Sequence, residues 1–281
     1  MNTQGDAGVE CFICTTCGVQ QAPSARPPRH CPICEDERQY VPRAGQTWTT
    51  LQRMVAAGHA IDIREIDTGL TGVGIAPSFG IGQRGLLVQT PHGNVLWDCV
   101  GFIDEAAIAV IRARGGIQAI AVSHPHFYGT MVEWSRAFDH APIYVPSADS
   151  TWVQRPDDAI VHWDERVEIL PDVTLVQCGG HFEGSAVLHW AEGGRGRGAL
   201  LVGDTLTVVP DTRFVSFMRS YPNHIPLAPG TVRRIVATVR RYRFDVIYGG
   251  WWDRTVTRDG ARAVERSASR YLRWMGADDQ P

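Results

Sequence analysis

The chain has 281 residues, 44% of them hydrophobic and 20% charged, with a formal net charge of −3 at pH 7. This is an ordinary composition for a globular protein, long enough for one large domain plus a small module. The slight acidity argues against nucleic acid as the main ligand, and no run approaches the roughly 18 apolar residues of a membrane span.

The opening, Met1 to Glu10, is polar and acidic, with no basic n-region and no apolar h-region. No signal peptide is expected there, and a cytoplasmic setting follows, in which thiols stay reduced and bind metal. Five of the seven cysteines are Cys11, Cys14, Cys17, Cys31 and Cys34, while Cys99 and Cys178 lie in apolar, strand-like segments. Cys14-Thr15-Thr16-Cys17-Gly18 and Cys31-Pro32-Ile33-Cys34 are two C-x-x-C knuckles, and Gly18 lets the first one turn tightly. Joined by a short polar loop, they make a tetrahedral sulfur set with no open position, the pattern of a structural zinc ribbon. Cys11 with Cys14 is an alternative knuckle. The segment is too polar for these thiols to be a core of their own. Arg26, Arg29, Arg38 and Arg43 are offset by Glu35, Asp36 and Glu37, so the ribbon reads as a cap or docking module. Pro23, Pro27, Pro28 and Pro42 stiffen it, and a boundary is expected near residue 45, dividing a ribbon over 1–45 from a domain over 46–281.

Beyond that point strands and helices follow one another. Trp48 to Ala57 has helical spacing, with Trp48, Leu51 and Val55 on one face. Ile61 to Ile66 alternates as a half-buried strand does, and the glycine-rich stretch Gly69 to Gly85 reads as a loop or strand pair. Leu86 to Val88 and Asn94 to Asp98 form a hairpin around Thr90-Pro91-His92-Gly93. A helix over Ile103 to Arg114 stops at Gly115-Gly116, and another lies around Met131 to Phe138. Strands are expected at Ile117–Val122, Ile143–Val145, Ala159–His162, Arg166–Ile169, Val173–Cys178, Ala186–Trp190, Ala199–Val202 and Asp245–Tyr248. Helices are expected at Val232–Tyr242 and Ala261–Trp274, and no short internal repeat is present.

Chemistry concentrates where three of these strands end. Ser123-His124-Pro125-His126 follows one, His181 another and Asp204 a third. Two histidines at i and i+2 of an extended chain face the same way, and a third completes the nitrogen-rich shell of a zinc site.

The order Asp98, His124-x-His126, His181, Gly203-Asp204 resembles the metallo-β-lactamase superfamily. Trp97-Asp98, the Gly180-His181-Phe182-Glu183-Gly184-Ser185 loop and Leu201-Val202-Gly203-Asp204-Thr205-Leu206 resemble its first, third and fourth motifs. The resemblance spans roughly residues 60 to 255. It implies an α+β fold, an αββα sandwich with metal at one edge, which the strand and helix pattern matches independently. The family's second motif is His-x-His-x-Asp-His, and this chain has Tyr128 and Gly129 where the Asp and last His belong. Its fifth motif supplies a further His, where this chain reads Tyr248-Gly249-Gly250-Trp251-Trp252. The ligands special to a second metal are therefore replaced, and one metal held by His124, His126, His181 and Asp204 is expected.

The resemblance implies a mononuclear zinc hydrolase of an ester, thioester, lactone or amide small molecule. Tyr128 is then a candidate oxyanion donor, with a packed aromatic as its plain alternative. Asp98 orients a ligand histidine or braces its loop. Tyr221, Asn223 and His224 offer polar contacts in a substrate loop, His224 also as an extra ligand or general base, or belong to a surface loop, and Trp251 with Trp252 forms an aromatic wall, or core or interface. Two alternatives stand beside this. One is a non-haem iron oxygenase on His124, His181 and Asp204, as in the persulfide dioxygenase branch, with His126 crowding the site. The other is a catalytically silent scaffold docked through its ribbon. Homo-oligomerisation is left open.

Overall fold

In the computed structural model, which describes residues 8–277, two mixed sheets stack face to face. The larger runs in chain order through Ala60–Asp67, Leu70–Ala76, Gly85–Thr90, Gly93–Trp97, Ala119–Ala121, Ile143–Pro146 and Ile160–Trp163. Its first four strands are antiparallel, and the rest add parallel neighbours. The second runs through Arg166–Leu170, Val173–Gln177, Ala186–Trp190, Ala199–Leu201, Val246–Tyr248 and Thr255–Val256. It is antiparallel except where Ala199–Leu201 lies parallel to Val246–Tyr248.

Strand alternation assigns the layers. Leu86, Val88, Val95 and Trp97 of the first sheet meet Leu175, Leu188, Ala199 and Leu201 of the second in the inner core. Their chain neighbours point the other way. Leu87, Leu96 and Ile120 pack under Glu105–Ala113 and Met131–Ala137, while Val176, Val187 and Leu200 pack under Pro229–Val239 and Gly260–Trp274. Because side chains alternate with period two, a run such as Leu86-Leu87-Val88 feeds two cores at once. The four layers are the αββα sandwich.

The ribbon is not a free appendage. Ile13 and Cys14 pair antiparallel with Thr49 and Trp48, across the expected division at residue 45. Cys14, Cys17, Val19, Cys31, Ile33 and Cys34 are buried in the same apolar cluster as Val73, Leu87, Tyr128 and Met131.

Some expected elements differ. The helix placed at Trp48 begins at Leu51, because Trp48–Thr49 is a strand and Thr50 caps the helix by accepting from the Arg53 N–H at 3.3 Å. Its buried residue is Met54, 1% exposed, whereas Val55 is 60% exposed. Leu70–Ala76 is a full strand within the glycine-rich stretch, its glycines at 72 and 74 leaving room for the Trp252 ring. Around residues 217–226 the chain forms a hairpin, Met218–Ser220 paired with Ile225–Pro226, rather than an open loop.

Candidate metal centre

Ala119–Ala121 ends just before Ser123, and the chain then closes a tight turn over Pro125–Phe127. The two histidines are therefore not on one extended segment as expected. His124 is extended and His126 sits inside the turn, started by Pro125, and this sets their rings 5.1 Å apart. The loop after Val173–Gln177 brings His181 to 4.8 Å from the His124 ring and 5.2 Å from that of His126. Asp204 follows Ala199–Leu201, and Gly203 has a φ of 49° where a side chain would strike Ser123.

One nitrogen from each histidine and one Asp204 oxygen lie within 4.8 Å of one another. His126 Nδ1 is 3.2 Å from His181 Nε2, and Asp204 Oδ2 is 3.5 Å from His124 Nε2 and 3.9 Å from His181 Nε2. A tetrahedron of zinc–nitrogen bonds near 2.05 Å has edges of about 3.3 Å, so this spacing suits an ion at the middle. His124 Nε2 is buried and has no hydrogen-bond partner among the described residues, which an ion would supply. The four side chains are buried throughout: His124 and His181 are 0% exposed, His126 2% and Asp204 4%. The donor set therefore fits a borderline divalent metal.

The surroundings orient each donor. The Met218 carbonyl, 3.2 Å from His181 Nδ1, holds a proton there and leaves Nε2 as a lone pair. Ser123 Oγ stands 2.8 Å from His124 Nδ1. The Thr207 hydroxyl donates to Asp204 Oδ1 at 2.8 Å and leaves Oδ2 to the cluster. Among the described residues Asp98 makes no hydrogen bond to a ligand ring. Its Oδ1 accepts the Ser123 backbone N–H at 2.7 Å, so it braces the strand end that carries His124. Burial, followed by the neighbouring histidines, drives the His126 pKa well below its usual range, and burial lowers that of His181 to about 3. Both rings are thus kept neutral, as metal ligands must be. Burial would raise Asp204, but the adjoining His124 and the Thr207 hydroxyl outweigh it and keep the carboxyl below its ordinary pKa.

The remaining candidates are not donors in this group. Tyr128 is 1% exposed and donates to the Asp149 carbonyl at 3.2 Å, with burial raising its pKa far above the ordinary value. Its proton is committed to a peptide oxygen inside the core, so the packed-aromatic reading replaces that of oxyanion donor. His224 is an exposed turn residue with a φ of 55° and is not part of the donor group. Tyr221 packs 5.7 Å from the His181 ring, its hydroxyl donating to the Asp204 carbonyl at 3.2 Å. Trp251 lies edge-on to Phe127 and donates to the Ile81 carbonyl, so it supports the histidine turn from behind. Gly129 has a φ of 48°, and a Cβ there would come within 2.4 Å of the Val100 carbonyl oxygen. Its own carbonyl accepts the Gln20 N–H of the ribbon. At Gly250 a Cβ would meet the Phe127 ring at 2.7 Å. The places of the missing second-metal ligands are therefore filled by backbone, ribbon and ring.

The second donor group is the sulfur set. Cys14 and Cys34 sulfurs are 3.5 Å apart, those of Cys17 and Cys31 3.7 Å, close to the edge of about 3.8 Å for a tetrahedron of 2.3 Å zinc–sulfur bonds. Gln46 Nε2 and the Cys17 N–H donate to Cys14 Sγ. Hydrogen bonds from Cys17, then Cys31 and Cys34, pull the Cys14 thiol far down toward thiolate. Cys11 is half-buried and outside the group.

Sequence reasoning missed how the ribbon meets this centre. Ser220 Oγ donates to the Arg38 carbonyl at 3.1 Å, and Asn223 Nδ2 to the Glu37 and Gln39 carbonyls at 2.9 Å each. Residues assigned to a substrate loop thus clasp the ribbon. The nearest sequence signal was the unbroken run of charge from Glu35 to Arg38.

A family model described as "Metallo-beta-lactamase superfamily" matches residues 84–251. The uncharacterized protein YmaE of Bacillus subtilis (strain 168) is 45% identical over 269 residues, 95% of this chain and 97% of that protein. A match of that extent reaches past residues 46–281 into the ribbon. Among solved structures, that of VMB-1 has a TM-score of 0.56 at 14% identity, covering 76% of this chain and 98% of its own. That of FIM-1 from Pseudomonas aeruginosa in the mono-zinc form has a TM-score of 0.51 at 14% identity, covering 74% of this chain and 96% of its own. At such identities these structures share the fold alone. With the family match spanning over half of its length, the chain belongs to the metallo-beta-lactamase superfamily.

Proposed function

We propose that this protein is a metal-dependent hydrolase that binds one zinc through His124, His126, His181 and Asp204 and a structural zinc through Cys14, Cys17, Cys31 and Cys34. Its substrate is a small molecule with an ester, thioester, lactone or amide carbonyl. The observation that carries this reading is the buried convergence of three imidazole nitrogens and one carboxylate oxygen within 4.8 Å. A single ion is favoured because Tyr128 and Gly129 offer no second set of donors, and Gly129 has no room for a side chain. That FIM-1 has been solved in a mono-zinc form is in keeping with such a site in this fold.

When bound, zinc acidifies water and polarises a carbonyl. The chain does the rest. Met218 and Ser123 fix the faces that His181 and His124 present, Thr207 turns Asp204 Oδ2 inward, and Asp98 holds the Ser123 strand end. Phe182, Phe127 and the buried histidines exclude bulk water, which strengthens every charge interaction inside. His126 belongs to the donor group, which favours four ligands over a two-histidine iron triad.

Elemental analysis of protein purified without added metal tests the reading. Two zincs per chain are expected, falling to one in His126→Ala and Asp204→Ala. Nitrocefin, a thioester and a lactone are then the substrates to try, with those variants as blanks. Iron accompanied by oxygen uptake would replace the hydrolase with an oxygenase. A filled ribbon beside an empty sandwich would leave a scaffold.

A further inference from the structure

The hairpin of Met218–Ser220 with Ile225–Pro226 stands between the two donor groups and touches both. On one side the Met218 carbonyl takes the His181 Nδ1 proton at 3.2 Å. Tyr221 packs on the same ring and donates to the Asp204 carbonyl. The hairpin thus orients one ligand and steadies the backbone of another.

On its other side, three consecutive ribbon carbonyls are each taken up by a hairpin side chain. Asn223 Nδ2 donates to Glu37 and Gln39, both at 2.9 Å, and Ser220 Oγ donates to Arg38 between them at 3.1 Å. Both Asn223 partners are carbonyl oxygens, so only the amide nitrogen fits there. The Asn223 N–H returns to Ser220 Oγ at 3.1 Å, which makes the latch one connected unit. Ser220 is fully buried. An exposed Arg219–Glu37 ion pair runs alongside and adds little.

The ribbon presents those carbonyls from a turn that it fixes itself. Asp36 Oδ1 accepts the Arg38 N–H at 2.9 Å, and the Asp36 carbonyl accepts the Gln39 N–H at 3.0 Å. The Arg38 guanidinium lies on the Phe182 ring, 4.0 Å from its centre, next in the chain to His181. This turn begins two residues after Cys34, so its place depends on the sulfur set being assembled. The hairpin, by contrast, pairs at two positions only, one of them Pro226, which has no N–H. A two-stranded hairpin of that size has little stability of its own. What it is docked on therefore decides where the Met218 carbonyl sits.

We propose that Ser220 and Asn223 are positioning residues of the histidine centre, holding His181 in place by latching its hairpin to the ribbon, so that zinc in the sulfur set strengthens metal binding at the histidine set. The inference rests on the metal reading above. Linkage makes the effect reciprocal: metal in the histidine set tightens the ribbon's zinc by the same factor.

The test uses full-length protein with zinc in the ribbon and cobalt in the histidine set, where the visible spectrum reports ligand geometry. Cobalt affinity is read by competition with a chelator. Asn223→Ala and Ser220→Ala shift the spectrum and weaken cobalt about tenfold, the low end for loss of a group that orients a ligand histidine, while the ribbon keeps its zinc. Asn223→Gln retains the amide donors and recovers part of the affinity. Asn223→Asp retains the shape without the donors and recovers none. In a Cys31→Ser background, where the ribbon holds no zinc, Asn223→Ala adds little, because the latch has nothing fixed to hold. Unchanged cobalt affinity and spectrum in Asn223→Ala, or equal affinities in the Asp and Gln variants, overturns the assignment and leaves the metal reading standing. So does a full tenfold loss from Asn223→Ala in the Cys31→Ser background. Should Ser220→Ala not fold, the Asn223 variants decide. If the wild type takes up no cobalt beyond the one metal of its ribbon, the metal reading fails and the assignment with it.

Discussion

The two donor groups of this protein are built in opposite ways. The four sulfurs come from one stretch, Cys14 to Cys34, that has little apolar content of its own. The three imidazoles and one carboxylate come from positions 124 to 204, each placed by a strand end of a sandwich already held by two sheets and three apolar clusters. A metal bound by a local, core-poor segment contributes folding energy. A metal bound where the scaffold has fixed every donor is free to serve chemistry. The sulfur set is also closed, with four like ligands. The histidine set is mixed and backed by Ser123, Asp98, Met218 and Thr207, an arrangement that orients rather than merely grips.

The contrast is broken most directly by removing one ligand from each group. Cys31→Ser should cost about 4 kcal/mol or more and release residues 1–45 to proteolysis, since structural zinc stabilises small modules by about 10 kcal/mol. The loss is read as a fall in thermal midpoint together with one zinc per chain. Asp204→Ala should remove the other zinc and lower hydrolysis by about a thousandfold, equivalent to ~4 kcal/mol in barrier. Its thermal midpoint should drop by only a few degrees. If Asp204→Ala unfolds the protein as readily as Cys31→Ser, the histidine centre is structural and the distinction drawn above is wrong.

Restoring the family pattern sharpens the same point. Gly129→His supplies a missing histidine, but position 129 has a φ of 48° and a Cβ there meets the Val100 carbonyl at 2.4 Å. A loss of about 3 kcal/mol is expected, with no gain in bound metal. A third zinc per chain in this variant would show that only the side chain, and not the space, had been lost.

How much of this was readable beforehand follows from the same physics. Runs such as Leu86-Leu87-Val88 and Ala199-Leu200-Leu201 declare themselves as strands covered on both faces, so the sandwich was legible. Both donor groups were legible too, because cysteine spacing and strand-end histidines are local signals. Trp48–Thr49 was misread as helix because its strand partner, Ile13–Cys14, is more than thirty residues away. The clasp between ribbon and sandwich was invisible for a stronger form of that reason. Asn223 and Ser220 donate to backbone carbonyls 182 to 186 residues earlier, and a carbonyl leaves no trace in sequence. The packing of Arg38 on the Phe182 ring was hidden by balance, since four cations offset by three acids look like a solvated loop.

The one expected effect that depends on pH lies at the seam between the two regions. Asp149 accepts the Gly184 N–H at 2.8 Å on the His181 loop, while its Oδ2 is buried without a partner. Burial, helped by Glu183 and opposed by that hydrogen bond and by Arg38, raises its pKa from 3.8 to about 7. The folded protein therefore holds this proton more tightly than the unfolded chain. The resulting stabilisation is complete below pH 3.8 and is lost as pH rises through 7. Asp149→Asn keeps an oxygen for the Gly184 N–H and has no proton to lose. It should match the wild type in urea unfolding near pH 4 and exceed it by ~4 kcal/mol at pH 8. Parallel pH profiles for the two proteins would mean that Asp149 is ionised in the fold at neutral pH, and that Arg38 already has a full counter-charge at the seam.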